Sequence, residues 1–152
     1  IEWRRKMATV KQLLQKKGFQ VYSVAISNTV KQALNLMAEK SCGAVLVMDG
    51  TTLAGIFSER DFARKVLNEN CVLDLPVERY MTKEIYAVSP ETTIDECMAL
   101  MTQKKFRHLP VMEGDNLTGI ISIGDIVLFV IADKDILIRS LENYIVGHDY
   151  NQ

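Results

Sequence analysis

The sequence predicts an α+β fold in which two β-α-β-β-α repeats pack on each other about a pseudo-twofold axis, with an extra helix at each end. The first observation is an internal repeat: a shift of 64 positions aligns residues 20–66 with residues 84–130 without a gap. Fifteen of the 47 aligned pairs are identical, and the apolar positions repeat together with the identities. Because an internal repeat determines the architecture, each element is assigned in both copies at once.

Each copy opens with a β-rich segment that is followed by an amphipathic helix. The β-rich segments are VYSVA at 21–25 and IYAVS at 85–89. Apolar side chains then recur at i, i+3, i+4 and i+7, which places them on one face of a helix. They are Val30, Ala33, Leu34 and Met37 in the first copy and Ile94, Cys97, Met98 and Met101 in the second.

A β-hairpin and a second helix complete each copy. The strand-like runs AVLVMDG and LAGIFS in the first copy correspond to LPVMEG and LTGIIS in the second. Between them, DGTT and EGDN carry the residue types that tight hairpin turns favour. A second helix is expected to begin just after Ser58 and just after Ser122.

A unit of about 50 residues cannot bury enough apolar surface alone, so the two copies are expected to pack together. We divide the chain into an N-terminal extension and helix (1–16), repeat one (17–70), repeat two (80–133), and a C-terminal helix and tail (134–152). The amphipathic residues outside the repeats are Val10, Leu13 and Leu14, and Leu137, Leu141, Tyr144 and Ile145. Both stretches are expected to be helices that wrap the pair and leave an apolar face for a homodimer.

Composition and charge argue against several classes of partner. Hydrophobic residues make up 48% and charged residues 24%, as in an ordinary folded domain. The net charge is −1 and no long block of Lys or Arg occurs, which argues against nucleic acid. The longest apolar run, residues 126–132, is too short for a membrane span, and no secretory signal begins the sequence. We therefore expect a cytoplasmic protein.

The residues that commonly carry catalysis or bind metals are few and scattered. The three cysteines, Cys42, Cys71 and Cys97, show neither paired spacing nor a neighbouring histidine, and we expect buried free thiols. The two histidines are 40 positions apart. No pairing of nucleophile with base and no carboxylate cluster for a metal is recognisable, so we expect neither an enzyme nor a metal site.

The motif G-x-x-S-x-x-D occurs once in each copy, as GIFSERD at 55–61 and GIISIGD at 119–125. One interpretation is structural: Ser and Asp form a capping box at the start of a helix. The other is functional, because a helix N-terminus offers unpaired N–H groups to phosphate, and an outward-facing Asp offers two acceptors to a ribose diol. Both interpretations remain open on local grounds.

These motifs make the sequence resemble a pair of CBS domains (cystathionine β-synthase domains, the Bateman module) over residues 17–133. The resemblance rests on both G-x-x-S-x-x-D motifs and on the phrases MTKEIYAVSPETTI and RHLPVME. SERDFARKV together with LENYIVG is similar to small stand-alone CBS-pair proteins. The resemblance implies a homodimer whose helices pack face to face in a flat disc of four copies.

The resemblance also implies clefts between the copies for an adenosine-containing ligand: AMP or NAD(H) first, with ATP, ADP or S-adenosylmethionine as further possibilities. In that family the Asp holds the ribose hydroxyls, which indicates Asp61 and Asp125. The preceding Ser approaches phosphate, which indicates Ser58 and Ser122. The other residues expected to line the clefts are Val21, Tyr22, Gly43, Ala44, Thr82, Ile85, Tyr86, Arg107, His108, Leu109 and Pro110.

Arg60 distinguishes the two motifs, because the second copy has Gly124 at its place. A cation in the first turn opposes the helix dipole, so we expect Arg60 to meet a phosphate, although a surface ion pair with Glu59 or Glu69 would also account for it. Lys17 has two interpretations as well: it reaches a ligand, or it is an ordinary solvated lysine.

Three functions follow from these observations. The first is a regulatory sensor that binds AMP, ATP or NAD(H) without catalysis and changes its shape or its regulated protein partner. The second is a structural protein-interaction module with vestigial clefts. The third, a small enzyme acting on adenosine compounds, has the least support because no catalytic pair of residues is recognisable.

Overall fold

The computed structural model describes residues 8–68, 70 and 72–149, and it has five α-helices and five strands in that part of the chain. The elements are α1 (Val10–Lys17), β1 (Ser23–Ala25), α2 (Val30–Lys40), β2 (Ala44–Asp49), β3 (Thr52–Ser58), α3 (Glu59–Lys65), α4 (Ile94–Lys104), β4 (His108–Glu113), β5 (Asn116–Ser122) and α5 (Ile123–Asp149). Three short 3-10 turns lie between α3 and α4. The mixed α+β fold predicted from the repeat is confirmed.

The two predicted hairpins are present and have the same register. β2 pairs antiparallel with β3, and β4 pairs antiparallel with β5. Each hairpin carries an irregularity at equivalent places, between Val47 and Met48 and between Val111 and Met112. The repeat in sequence is therefore a repeat in backbone geometry.

The first strand of the second copy differs from the prediction. β1 pairs in parallel with β2 over three residues, whereas the segment at 85–89 makes only one bridge, between Val88 and Val111. In the first copy, the amides of Leu46 and Ile26 donate to the ladder. The residues 64 positions later are Pro110 and Pro90, which have no N–H, so the ladder is interrupted on both sides of the bridge.

The amphipathic helices α2 and α4 begin where the sequence pattern predicts. Thr29 and Thr93 are their N-caps, and each forms a complete capping box with Gln32 or Glu96 three residues later. Of the predicted apolar face, three residues in each helix are buried: Val30, Ala33 and Met37 in α2, and Ile94, Cys97 and Met101 in α4. The fourth is not, since Leu34 is half-buried and Met98 is exposed.

The last helix is longer than the predicted second helix of repeat two. α5 runs without interruption from Ile123 to Asp149, so the predicted C-terminal helix continues that second helix. Its residues 126–146 contain no proline and no glycine, whereas the chain after α3 contains two asparagines and Pro76. Residues 150–152 of the predicted tail lie outside the described part.

The apolar core consists of two clusters, one for each repeat, and each uses a segment that precedes the other repeat. In the first cluster, Val77 and Met81 pack with Phe57 of β3. In the second, Leu13 and Leu14 of α1 pack with residues of α4, β4 and β5. The predicted N-terminal helix therefore contributes to the core of repeat two; residues 1–7 of that extension lie outside the described part.

Gly55 allows the segment after the first repeat to lie directly on β3. A Cβ atom at this position would be 2.6 Å from Met81 Sδ and 2.9 Å from the Thr82 carbonyl oxygen. Ile56 and Thr82 exchange backbone hydrogen bonds of 3.1 and 2.7 Å across the same contact. Any larger residue would push this segment away from the sheet.

The thiols of Cys42 and Cys97 are free, the first half-buried and the second buried, while Cys71 lies outside the described residues. Burial raises the pKa of Cys97 to about 11, so this thiol is protonated at neutral pH. None of the described helices combines the length and the apolar character that a membrane span requires.

Candidate functional site

A cavity of about 170 Å³ lies between the two repeats, with walls from both. The first repeat contributes the residue before β2, the end of β3 and the first turn of α3. The second contributes the segment before α4 and the loop between α4 and β4. The lining residues are Gly43, Ile56, Ser58, Glu59, Arg60 and Asp61 from the first repeat, and Thr82, Glu84, Tyr86, Lys105, Phe106, Arg107 and His108 from the second.

The structure brings together half of the residues that the sequence predicted for the clefts. Those that line this cavity are Gly43, Ser58, Arg60, Asp61, Thr82, Tyr86, Arg107 and His108. Those that do not line it are Val21, Tyr22, Ala44, Ile85, Leu109, Pro110, Ser122 and Asp125. Among the latter, Ala44 and Leu109 belong to the buried core.

Asp61 presents its carboxylate to the cavity because it is not used to cap α3. The Ser58 hydroxyl accepts the Asp61 amide at 3.2 Å, which is one half of a capping box. The carboxylate does not return to the Ser58 amide; its Oδ2 accepts a hydrogen bond of 3.3 Å from the Thr82 hydroxyl. Within the described part of the chain no ion pair is formed by Asp61, so this carboxylate can accept further hydrogen bonds.

Two arginines from different repeats converge beside Asp61. The positive charge of Arg107, followed by that of Arg64, lowers the pKa of Arg60 below its ordinary value. Like charges at this proximity repel each other, and an anion bound between them would relieve the repulsion. Guanidinium groups also match the geometry of phosphate oxygens. The part of the cavity lined by Arg60 and Arg107 is therefore suited to a phosphate.

An aromatic wall closes another side of the cavity. The rings of Tyr86 and Phe106 pack with centroids 5.2 Å apart and planes inclined by 41°. The Tyr86 hydroxyl donates to Glu84 at 2.8 Å, and Lys104 lies over the Tyr86 ring, 5.3 Å from its centroid. A planar heterocycle can pack against such a wall.

The second motif has a different local structure. Ser122 and Asp125 form a complete capping box: the Ser122 amide donates to Asp125 Oδ2 at 2.7 Å, and the Asp125 amide donates to Ser122 Oγ at 3.1 Å. The same Oδ2 accepts from Lys17 Nζ at 2.7 Å. Lys17 is therefore not an ordinary solvated lysine. Burial acts to raise the pKa of Asp125, but the bonds from Lys17 and Ser122 lower it below its ordinary value of 3.8.

His108 lies between the two motifs at the start of β4. It pairs with Ser122 across the hairpin, and a Cβ atom on Gly43 would be 4.0 Å from its Nε2. Burial lowers the pKa of His108, which the negative charge of Asp125 opposes, and the imidazole is neutral at neutral pH. It can therefore accept as well as donate a hydrogen bond.

Five lining residues were not predicted: Ile56, Glu59, Glu84, Lys105 and Phe106. Lys105 ends α4 in the left-handed conformation with φ 59°, which turns the chain so that Phe106 and Arg107 follow one another along the cavity wall. The sequence KKFRH at 104–108 could have indicated Lys105 and Phe106, because this short polar and aromatic loop joins a helix to a strand beside the predicted Arg107. Nothing local in the sequence distinguishes Glu84. In the described residues, no three His, Cys, Asp or Glu side chains come together as metal ligands.

Comparison with protein-family models gives the class of the protein. The model described as "CBS domain" matches twice, over residues 10–68 and 77–132. Both matches contain one hairpin and one G-x-x-S-x-x-D motif. The chain belongs to the CBS-domain family, as its resemblance implied, and it carries the domain as a pair.

Individual relatives agree with this assignment. A solved structure of a candidate signal-transduction protein with CBS domains from Burkholderia ambifaria MC40-6 is 49% identical, with a TM-score of 0.79, covering 83% of this chain and 96% of that one. A mitochondrial CBS-domain protein of Arabidopsis thaliana, CBSX3, is 34% identical over 79% of this chain. A 17.7 kDa protein of Acidianus ambivalens is 36% identical over 70% of this chain. The matches span 61% and 65% of the length of these two curated relatives.

Asp125→Asn is expected to lower stability in a pH-dependent way. Because the pKa of Asp125 is depressed in the folded state, its carboxylate stabilises the fold. This contribution is fully present above pH 3.8, the ordinary pKa, and is lost as the pH falls through the folded pKa. The difference in unfolding free energy between the native chain and Asp125→Asn should therefore be largest near neutral pH and shrink toward about pH 3. Urea melts at several pH values measure it.

The matched control is Asp61→Asn, since Asp61 has the same place in the other motif but closes no capping box. At neutral pH it should cost less than Asp125→Asn by about 1 kcal/mol, the typical contribution of a cap. Equal losses for the two variants would show that closing the capping box adds no stability at Asp125. A loss at Asp125 that does not vary with pH would show that the charge of its carboxylate adds none.

Proposed function

We propose that the protein is a regulatory CBS-pair sensor, without catalysis, that binds an adenine nucleotide in the cavity between its repeats. The proposal rests on one observation. The Asp61 carboxylate, which closes no capping box, lies beside Arg60 and Arg107 in a cavity that has an aromatic wall. CBS domains generally bind adenosine-containing ligands, which supports it. AMP and NAD(H) are the first candidates, then ATP, ADP and S-adenosylmethionine; no metal is part of the proposal.

Each part of such a ligand has a complementary group in the cavity. The Asp61 carboxylate accepts the two ribose hydroxyls, and the Thr82 hydroxyl holds that carboxylate in place at 3.3 Å. The base packs against the aromatic wall of Tyr86 and Phe106. Arg60 and the Ser58 hydroxyl face the phosphate.

Binding in this cavity couples the two repeats, because the ribose contact belongs to the first and the aromatic wall to the second. A ligand that holds both would favour one relative arrangement of the repeats, which is how it could change the surface offered to a regulated protein partner. The proposed setting is the cytoplasm.

Asp61→Ala is expected to weaken nucleotide binding by about 1–3 kcal/mol, the scale of hydrogen bonds to a charged group, while the fold remains stable. Calorimetric titration with AMP, NAD, ATP and S-adenosylmethionine, beside thermal melts at saturating ligand, measures both quantities. A ligand at a hundredfold over its Kd stabilises the native chain by about 2.7 kcal/mol. The matched control, Asp115→Ala in the second hairpin turn, should bind like the native chain. If no nucleotide binds or raises the melting temperature, the alternative of an interaction module with vestigial clefts is favoured.

Arg60→Ala is expected to weaken AMP or ATP more than adenosine, because its guanidinium meets only the phosphate. The affinity ratio of AMP to adenosine should fall severalfold, while adenosine itself binds nearly as before. Arg79→Ala is the control, since Arg79 lies outside the cavity lining. An unchanged AMP-to-adenosine ratio in Arg60→Ala would leave Arg60 without a phosphate role.

We also propose that the sensor is a homodimer in which α5 packs against its equivalent in a second chain. One stripe of this helix is apolar and exposed: Ile131, Ile138 and Ile145, seven residues apart, are 50%, 51% and 61% exposed. The opposite face of its first turns is buried on repeat two through Ile126. So much apolar surface on one helix face is typical of an interface.

Ile131→Glu combined with Ile138→Glu is expected to convert the dimer into a monomer of about 17.2 kDa, since each chain would bring two charges into the buried interface. Light scattering at micromolar concentration measures the mass. Asp133→Lys, an exposed change on the other side of the same helix, is the control and should leave the dimer intact. A monomeric native chain would contradict the homodimer.

A further inference from the structure

The two G-x-x-S-x-x-D motifs differ in the group that donates hydrogen bonds to the Asp carboxylate and to the carbonyl of the preceding strand. In the first repeat, Thr82 supplies two donors: its amide bonds the Ile56 carbonyl at 2.7 Å, and its hydroxyl bonds Asp61 Oδ2 at 3.3 Å. The residue 64 positions earlier is Gly18, which has no hydroxyl. Its amide closes α1 by bonding the Leu14 carbonyl at 2.7 Å. Neither contact of Thr82 can therefore be reproduced by Gly18.

Lys17 supplies both of the missing contacts through one ammonium group. Its Nζ lies 2.7 Å from the Ile120 carbonyl oxygen and 2.7 Å from Asp125 Oδ2. Ile120 and Asp125 are the equivalents of Ile56 and Asp61 under the shift of 64 positions. The replacement changes the electrostatics: a hydroxyl leaves the carboxylate its negative charge, whereas an ammonium neutralises it.

The helix α1 holds this lysine in position. Lys17 is the last residue of the helix, which ends at Gly18 with φ +104°. Leu13 and Leu14 on the same helix are 1% exposed in the core of repeat two. Because the helix is fixed, only the lysine side chain loses freedom when the ion pair forms.

We propose that Lys17 keeps Asp125 from binding a nucleoside, so that each chain takes a single nucleotide, at Asp61. A ribose diol is held by both oxygens of a carboxylate, one for each hydroxyl. One of them, Asp125 Oδ2, already accepts from the Ser122 amide and from Lys17 at 2.7 Å each. Lys17 is thus a residue that determines which of the two G-x-x-S-x-x-D motifs binds a ligand. The inference rests on the proposed function.

The test is calorimetric titration of four full-length chains with AMP and with adenosine. The native chain should bind one molecule per chain, and Asp61→Ala should lose that site. Lys17→Ala should bind two, because the carboxylate of Asp125 is released. The double variant Lys17→Ala with Asp61→Ala should bind one, and this site should distinguish little between AMP and adenosine, because Gly124 stands where the first repeat has Arg60.

Lys17→Arg is the matched control: it keeps a cation beside Asp125 and should still bind one molecule. Circular dichroism melts verify that every variant is folded. Two molecules per native chain, or one per chain in Lys17→Ala, would overturn the role of Lys17 and leave the proposed function intact. Binding by Lys17→Ala but not by the native chain would support the role of Lys17 and contradict the proposed function. If no chain binds either ligand, both proposals fail.

Discussion

The packing of each repeat against a chain segment that precedes the other repeat is the interaction on which the remaining structure depends. Phe57 lies in one core cluster with Val77 and Met81, and α1 contributes Leu13 and Leu14 to the core of repeat two. A unit of this size buries too little apolar surface to be stable alone. The exchange therefore makes the two repeats one structure, and it brings the segments that carry Lys17 and Thr82 to the starts of α5 and α3.

The same G-x-x-S-x-x-D motif consequently has two physical roles in one chain. At Ser122 both halves of the capping box are closed, so the carboxylate of Asp125 is committed to the protein itself. At Ser58 only the hydroxyl half is made, and Asp61 faces the cavity. The structural interpretation of the motif, a capping box, holds in full for the second copy. In the first copy Asp61 closes no capping box, and its contact with a ribose stays a prediction. The group donated by the neighbouring segment, an ammonium or a hydroxyl, makes the difference.

The prolines of the second copy show how a repeat is modified without loss of the fold. Pro90 and Pro110 remove two amides from the parallel ladder, yet Val88 still bonds Pro110 at 2.9 Å and Met112 at 2.8 Å. The register is retained because the antiparallel hairpin, not the first strand, fixes the sheet. A weakened first strand leaves the segment that carries Tyr86 less tied to its own sheet, and it lies along the cavity between the repeats.

The sequence by itself predicted most of the elements and their order, because helix and hairpin signals are local and occur in both copies; the strand at 85–89 and a separate C-terminal helix are the exceptions. The spacing of Val30, Ala33 and Met37 predicted α2, and DGTT predicted a turn, without any knowledge of distant residues. Half of the predicted cleft residues came together for the same reason, since they flank those elements. Only the tertiary structure decided that Asp61 lines the cavity whereas Asp125 is bonded by Lys17. Lys17 lies 108 positions from Asp125, and Arg107 lies in a different repeat from Arg60. Electrostatic contacts between such residues depend on distances that the packing of the two repeats sets, and no local pattern encodes them.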